Sequence, residues 1–244
     1  MITILSPAKR MIFSEEHKAS ETPQFLQETW KLARILRKYS PGQLTDILKT
    51  STALGTKAFM DYQDMDLSVS GMAALFAYRG LVFFALDADS MTKAEIAFAQ
   101  EHLRILSGFY GLLKPLDGIW PYRLEMGHAL PETGSLYDFW GDKIAKAIFE
   151  ETDTVLNLAS VEYSSAILPY APPGKRVITC EFYRMHKGRW RIITTDAKKA
   201  RGRMARWIIA HQINDSASIQ AFDEDGYRFD YEQSQEDIYR FYKD

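Results

Sequence analysis

Between Ala197 and Arg206 the chain reads AKKARGRMAR, which places Lys198, Lys199, Arg201, Arg203 and Arg206 in one stretch without an acid. The stretch reads as the first turns of a helix, directly after a strand-like segment. Cations near a helix N-terminus oppose the macrodipole by about 0.3–1 kcal/mol each, whereas an anion there meets free backbone N–H groups as well as the side chains. The chemistry this arrangement suits is anion binding, and phosphate is the anion that fits. At 100° per residue Lys199, Arg203 and Arg206 fall within a stripe of about 60°, next to an apolar face of Ala200, Met204, Trp207, Ile208 and His211. Lys198 and Arg201 flank the other edge of that face, beside Ala205 and Ile209. Half-buried side chains aimed at something specific are expected there. For both groups the plain alternative is a solvated face whose aliphatic stems lie along apolar surface. Gly202 costs about 1 kcal/mol of helix propensity, which a closely approaching ligand or backbone would explain, and so would a kink.

Three further clusters carry chemistry-bearing side chains. Ser6-Pro7-Ala8-Lys9 follows an early strand and offers a hydroxyl, a turn-fixing proline and a cation. Lys9 can bind an anion or, with a depressed pKa, act as a base or imine-forming amine; an ordinary loop is the alternative. Pro121–Gly127 alternates in strand fashion, with Arg123 and Glu125 on one face and Tyr122, Leu124 and Met126 on the other. That pair is either structural or lines a cleft near Trp120, with Glu125 joining Lys9 as a base or nucleophile candidate. Trp140-Gly141-Asp142 and Asn157–Tyr163 add polar groups beside apolar segments, and Asn157 and Ser160 either hold a ligand or cap a helix beginning near Val161. A substrate cleft would thus draw on Ser6, Arg123, Trp140, Asp142, Asn157, Ser160, Lys198, Arg201 and Gly202. No Gly-rich phosphate loop, dinucleotide fingerprint, zinc helix or nucleophile elbow is present. The five histidines and the lone Cys180 show no ligand spacing, so neither a metal nor a cofactor is expected.

The elements that must position these groups follow from periodicity and capping signals. Met1–Leu5 reads as a strand and residues 24–39 as a helix, with Thr22 as N-cap and Pro23 at the first helical position. Gly42–Lys49 and Thr52–Tyr62 read as two short helices joined around Thr50-Ser51, and Ala73–Tyr78 as a strand. Thr92–Leu103 is a helix whose Thr92 and Glu95 form a capping box. Strand pieces are expected at Leu106–Tyr110, Tyr122–Met126 and Thr154–Leu158, and a helix at Leu136–Glu151. Lys175–Tyr183 and Trp190–Thr195 read as a hairpin around His186-Lys187-Gly188, Asp196 caps the basic helix, and Asp223–Gly226 makes a second hairpin-like turn. The irregular order of helices and strands points to an α+β fold rather than a doubly wound one.

The 244 residues, 46% of them hydrophobic, suffice for one large core, and no linker or repeat marks a boundary. A single domain is expected. Apolar runs fall far short of the roughly 20 residues that cross a bilayer, and no signal-peptide pattern opens the chain, which reads as a cytoplasmic location. The net charge of −2 is uneven: residues 215–244 carry nine acids against Arg228, Arg240 and Lys243. Residues 1–214 therefore hold 27 basic and 23 acidic residues, which permits a local basic surface.

Taken together, Ser6-Pro-Ala-Lys9, His102–Asp117, Pro121–Gly127, Phe139–Asp142, Asn157–Ser160 and Ala197–Gly202 resemble the YaaA family of bacterial peroxide-stress proteins, in the same order along the whole chain. The resemblance implies a single-domain α+β fold peculiar to the family, a basic cleft and a helix-hairpin-helix element, which maps to Leu44–Tyr62 here. It further implies binding of double-stranded DNA and protection against the iron-driven damage that peroxide causes, with no firm catalytic activity. Lys57 in Gly55-Thr56-Lys57, together with Lys199, Arg203 and Arg206, would contact phosphates. The connection Lys49-Thr50-Ser51 lacks the glycine common at such a hairpin tip. An enzyme acting on a nucleobase or phosphate-bearing small molecule in the same cleft is the other expectation.

Overall fold

Short, mostly apolar strands suit the middle of a sheet covered on both faces. The computed structural model describes residues 1–244, and its main sheet is built on such strands. The strands are β1 (Ile2–Leu5), β2 (Leu103–Ser107), β3 (Gly111–Leu113), β4 (Thr154–Asn157), β5 (Arg176–His186), β6 (Arg189–Arg191), β7 (Arg228–Phe229) and β8 (Ile238–Lys243). They lie in the order β7-β8-β5-β4-β1-β2-β3, with β6 paired to the far end of β5. The five central strands are mutually parallel, and antiparallel pairs close both edges. Ile4 stands opposite Asn157 and Arg104, and Asn157 opposite Thr179. The carboxyl ends of β1 and β4 are therefore level, while β5 runs on past them from Cys180 to His186.

Ten helices surround this sheet: α1 (Leu26–Leu36), α2 (Pro41–Ile47), α3 (Thr52–Asp64), α4 (Ala74–Ala77), α5 (Leu81–Leu86), α6 (Lys93–His102), α7 (Leu136–Trp140), α8 (Lys143–Glu151), α9 (Val161–Ser164) and α10 (Thr194–Ala210). Their buried faces join the strands in one contiguous core, so the chain is a single domain. None of the helices is long and apolar enough to cross a membrane. The α+β expectation gives way here to an α/β arrangement, because the centre of the sheet is parallel. Six helices lie between β1 and β2, and that long excursion hides the strand–helix–strand alternation in the sequence.

Local signals held where one interaction decides the conformation. Thr92 Oγ1 accepts from the Glu95 N–H at 3.2 Å, and Glu95 Oε2 accepts from the Thr92 N–H at 2.7 Å, which completes the expected capping box. The β5–β6 turn forms at Lys187-Gly188, both with positive φ. Elsewhere the expected boundaries shift. The helix expected over 24–39 starts at Leu26 without a side-chain cap, leaving Thr22 and Pro23 upstream. Ala73–Tyr78 is not one strand but the short helix α4 between two-residue strands, since a short apolar run has no periodicity to choose with. The expected helix Leu136–Glu151 breaks at Gly141, whose φ is +50°. Asp196 lies inside the first turn of α10, where its Oδ2 accepts from Arg184 at 2.8 Å rather than capping. Asp223–Gly226 is a 3₁₀ turn leading into β7, which pairs with β8.

Candidate functional site

In a parallel sheet, loops leaving neighbouring strands in opposite directions open a crevice at the carboxyl edge. β1 is such a strand, with β2 on one side and β4 on the other. A cleft of ≈ 310 Å³ lies there, lined by the Ser6–Arg10 loop after β1, Leu158 and Ser160 after β4, Glu162 and Tyr163 of α9, Arg79–Val82, Tyr122–Glu125, and Lys198 and Arg201 of α10. Ser6 ties the two strand ends together, because its Oγ accepts from the Ser160 N–H at 2.8 Å and lies 3.2 Å from Ser160 Oγ.

The Tyr122–Met126 segment has the expected alternation but not the expected strand. Tyr122, Leu124 and Met126 are buried while Arg123 and Glu125 turn toward the cleft, and no neighbouring strand pairs with them. Side chains hold the segment instead. Tyr62 donates its hydroxyl to the Arg123 carbonyl at 2.7 Å, and Tyr122 Oη lies 2.8 Å from Tyr78 Oη and 2.7 Å from Ser107 Oγ. Burial pushes the Tyr122 phenol up to about 12. Gly108 permits the approach, since a Cβ there would sit 2.6 Å from the Leu124 carbonyl oxygen. Glu125 Oε2 pairs with Lys9 Nζ at 2.5 Å, and Oε1 is 3.9 Å from Arg123 Nη2. The Glu125 N–H donates to His128 Nδ1 at 3.0 Å, and burial holds that imidazole below its ordinary range.

The charged lining amounts to six cations, Lys9, Arg10, Arg79, Arg123, Lys198 and Arg201, against Glu125 and Glu162. Arg201 is the least compensated. Its Nε is buried without a hydrogen-bond partner, and burial draws the guanidinium below its ordinary range with only Cys180 acting the other way. The Arg123 Nε is likewise buried without a partner. Cys180 itself is buried, which pushes its thiol up and away from reactivity.

Of the residues singled out in the sequence, Ser6, Lys9, Arg123, Glu125, Ser160, Lys198 and Arg201 meet at this cleft, and the others do not. Trp140 is a core residue whose Nε1–H donates to the Gly108 carbonyl at 3.0 Å, and Asp142 pairs at the surface with Lys146 at 2.6 Å. Asn157 is buried behind the cleft, where its Oδ1 accepts from the Ala159 N–H at 2.9 Å. Gly202 faces a backbone rather than a ligand: a Cβ there would lie 2.1 Å from the Val82 carbonyl oxygen of α5. Ser160 is the N-cap residue of α9, yet its side chain makes no cap hydrogen bond. Lys199 is exposed. Arg203 pairs with Asp225, Arg206 Nη1 with Glu95 at 3.1 Å, and Lys57 Nζ with Asp61 at 2.7 Å. Lys57 also borders a second cavity of ≈ 490 Å³, which shares Lys9, Arg10, Tyr122 and Arg123 with the cleft and reaches Leu54 and Asp61 of α3.

A family model described as "Peroxide stress protein YaaA" matches residues 1–233. The chain belongs to the YaaA family. Similar relatives are UPF0246 proteins. One from Shewanella baltica OS155 is 40% identical over 247 residues, covering 96% of each chain. One from Ralstonia pickettii 12J is 40% identical over 241 residues, covering 94% of this chain and 93% of its own. One from Alteromonas mediterranea is 40% identical over 246 residues, covering 96% and 95%. Sequence reasoning missed several lining residues of this YaaA-family chain. Arg79-Gly80 gave no motif, and Gly80 matters only because Ala8 packs against it, 3.1 Å from where a Cβ would be. Glu162 had a signal, its position two residues after Ser160 at a strand end, and its Oε1 accepts from the Gly127 N–H at 3.0 Å.

Proposed function

We propose that this member of a peroxide-stress family binds double-stranded DNA, engaging its phosphates with the cleft between the β1 and β4 loops and α10. The observation that carries this reading is Arg201, a largely desolvated guanidinium with no acid beside it. An uncompensated buried cation is costly unless an anion arrives to pair with it. Arg123, Lys198 and Lys9 lie along the same walls, so the cleft is basic and suits a phosphate-bearing unit. At ≈ 310 Å³ it is the size of one nucleotide, not of a duplex. The rest of the duplex would then run outside it, past the second cavity toward α2 and α3, the pair expected to act as a helix-hairpin-helix. Ser40 and Ser51 cap these two helices, and Lys49 takes the left-handed conformation where such a tip commonly carries glycine. Protection against iron would follow from counterion release, because a protein cation seated on a phosphate displaces the metal cation that would otherwise sit there.

The test is the anisotropy of a labelled duplex titrated at several salt concentrations. Affinity should fall steeply between about 50 and 200 mM salt, and Arg201→Gln with Arg123→Gln should weaken binding at least tenfold. Salt-independent binding, or full affinity in the double variant, would remove the reading.

A second reading is favoured by Glu125, a carboxylate that phosphate gripping does not require. Held between Lys9 and Arg123 at the cleft wall, it would serve as a general base or a hydrogen-bonding partner for a nucleobase. Glu125→Gln that binds DNA normally but no longer protects cells from peroxide would support this enzyme reading. Intact protection would count against it.

A further inference from the structure

The β5–β6 ribbon lies outside the cleft, and most of its charge has no partner. Every residue from Arg184 to Ile192 is exposed, and no acid occurs between Arg184 and Thr195. Cross-strand register sets Arg184 opposite Arg191, Met185 opposite Trp190 and His186 opposite Arg189. Alternation along the strands then separates two faces. Trp190 and Met185 share one face, with Trp190 edge-on to Tyr242 at 4.9 Å, while Arg184, His186, Arg189 and Arg191 share the other. Like charges directly opposite each other destabilise a ribbon, and here Arg184 stands directly opposite Arg191 on this face. Only Arg184 has a counter-ion, Asp196.

The ribbon and the cleft are on the same side of the molecule. The Arg184–Asp196 contact brings the cationic face over the start of α10, and Arg201 lies beside Cys180 on the same face of β5. β5 is level with the carboxyl end of β4 at Thr179, so Arg184–His186 stand about 16–23 Å beyond it at 3.3 Å per residue.

We propose that this ribbon is a second DNA contact, an arm that lays its cationic face on duplex phosphates flanking the nucleotide at the cleft. The inference rests on duplex DNA being the partner of the cleft. Charge complementarity selects the occupant: a bare cationic face suits a polyanion, and the aromatic face is already packed on Tyr242. A two-stranded ribbon is also narrow enough to enter a major groove.

The test compares Lys187→Ser/Arg189→Ser/Arg191→Ser with the wild-type chain on a 25-bp duplex and on a short duplex, a 6-bp stem closed by a loop so that it stays paired. For the long duplex, affinity should fall at least tenfold and the salt slope should lose about two to three of its magnitude, with the melting temperature unchanged. For the short duplex, which spans the cleft alone, the two proteins should agree. Equal affinity and slope on the long duplex would overturn the arm and leave the cleft reading intact. Retained binding by Arg201→Gln/Arg123→Gln alongside loss in the ribbon variant would overturn the cleft reading, and with it the arm as a contact flanking the cleft. A wild-type chain that binds no duplex overturns both. Ribbon-dependent binding to anionic phospholipid vesicles, with duplex binding unaffected, would assign the face to a lipid surface and overturn the proposal.

Discussion

The two sides of α10 carry similar numbers of cations and have opposite fates. On one side Arg203 and Arg206 are tied to Asp225 and Glu95, and Lys199 stands exposed in solvent, where its charge costs little. On the other, Arg201 is partly buried at a cleft wall with no carboxylate against it, and Lys198 lines the same wall. The acids that neutralise the first side come from elsewhere in the chain, Glu95 from α6 and Asp225 from the acidic C-terminal segment. That segment is not a free tail: β8 pairs with β5, and the turn before β7 sets Asp225 between Arg203 and Lys243. Charge density along a helix therefore does not identify a binding face. What identifies it is charge that the folded chain leaves unanswered, because leaving it so has a cost that only a ligand offsets.

The sharpest way to break this contrast is to move α10. Gly202 sits between the two sides and lets the helix close on α5, where an added Cβ would meet the Val82 carbonyl oxygen at 2.1 Å and Ala85 Cβ at 2.8 Å. Gly202→Ala should cost about 2–3 kcal/mol, lowering the melting temperature by about 5–10 °C. It should also weaken DNA binding by displacing Arg201. A melting temperature equal to wild type would mean that the close approach is not what holds Arg201 in place.

Removing charge from each side separates binding from stability. Arg201→Gln should cut duplex affinity tenfold or more while leaving the melting temperature level or slightly higher, since it relieves an uncompensated desolvated cation. Arg203→Ala should do the reverse, costing about 0.5–1 kcal/mol through its lost partner and changing affinity less than about twofold. If thermal melts and anisotropy titrations gave both variants the same pattern, the distinction between answered and unanswered charge would fail.

How much of this was legible differs between fold and site. Strand β1, the capping box of α6, the α10 helix and the β5–β6 turn were readable because short-range rules decide them. The parallel sheet was not, since its pairings join distant segments, Thr3 to Leu103 and Ile2 to Val155 among them. At the site, Lys9, Arg123, Glu125, Lys198 and Arg201 converge as their residue types suggested. Trp140 and Asn157 have the same polar and aromatic character but satisfy it internally, on the Gly108 carbonyl and the Ala159 N–H. Sequence lists the groups able to bind a ligand; only folding decides which are already occupied. The Gly202 ambiguity resolves in the same way, toward backbone packing.

The smallest expected effect concerns His128, which supports Glu125 from behind. A backbone N–H can only donate, so the 3.0 Å contact from Glu125 makes Nδ1 the acceptor and places the proton of the neutral ring on Nε2. Burial lowers the His128 pKa; Glu125 and Glu162 oppose that shift, and Lys9 and Arg123 reinforce it. With the folded pKa below the unfolded value of about 6.5, the unfolded chain binds more protons across that interval, so stability is present above it and is lost as pH falls through the folded pKa. Between about pH 7.5 and 5.5 the contribution of His128 should decline, while Asp117, raised to about 6 by burial, acts in the opposite direction in both proteins. His128→Asn keeps an acceptor for the Glu125 N–H and removes the titration, so its melting temperature should fall less over the same interval. Parallel pH profiles for the two proteins would show that His128 does not titrate over this interval and that its neutral ring contributes nothing to the pH dependence of stability.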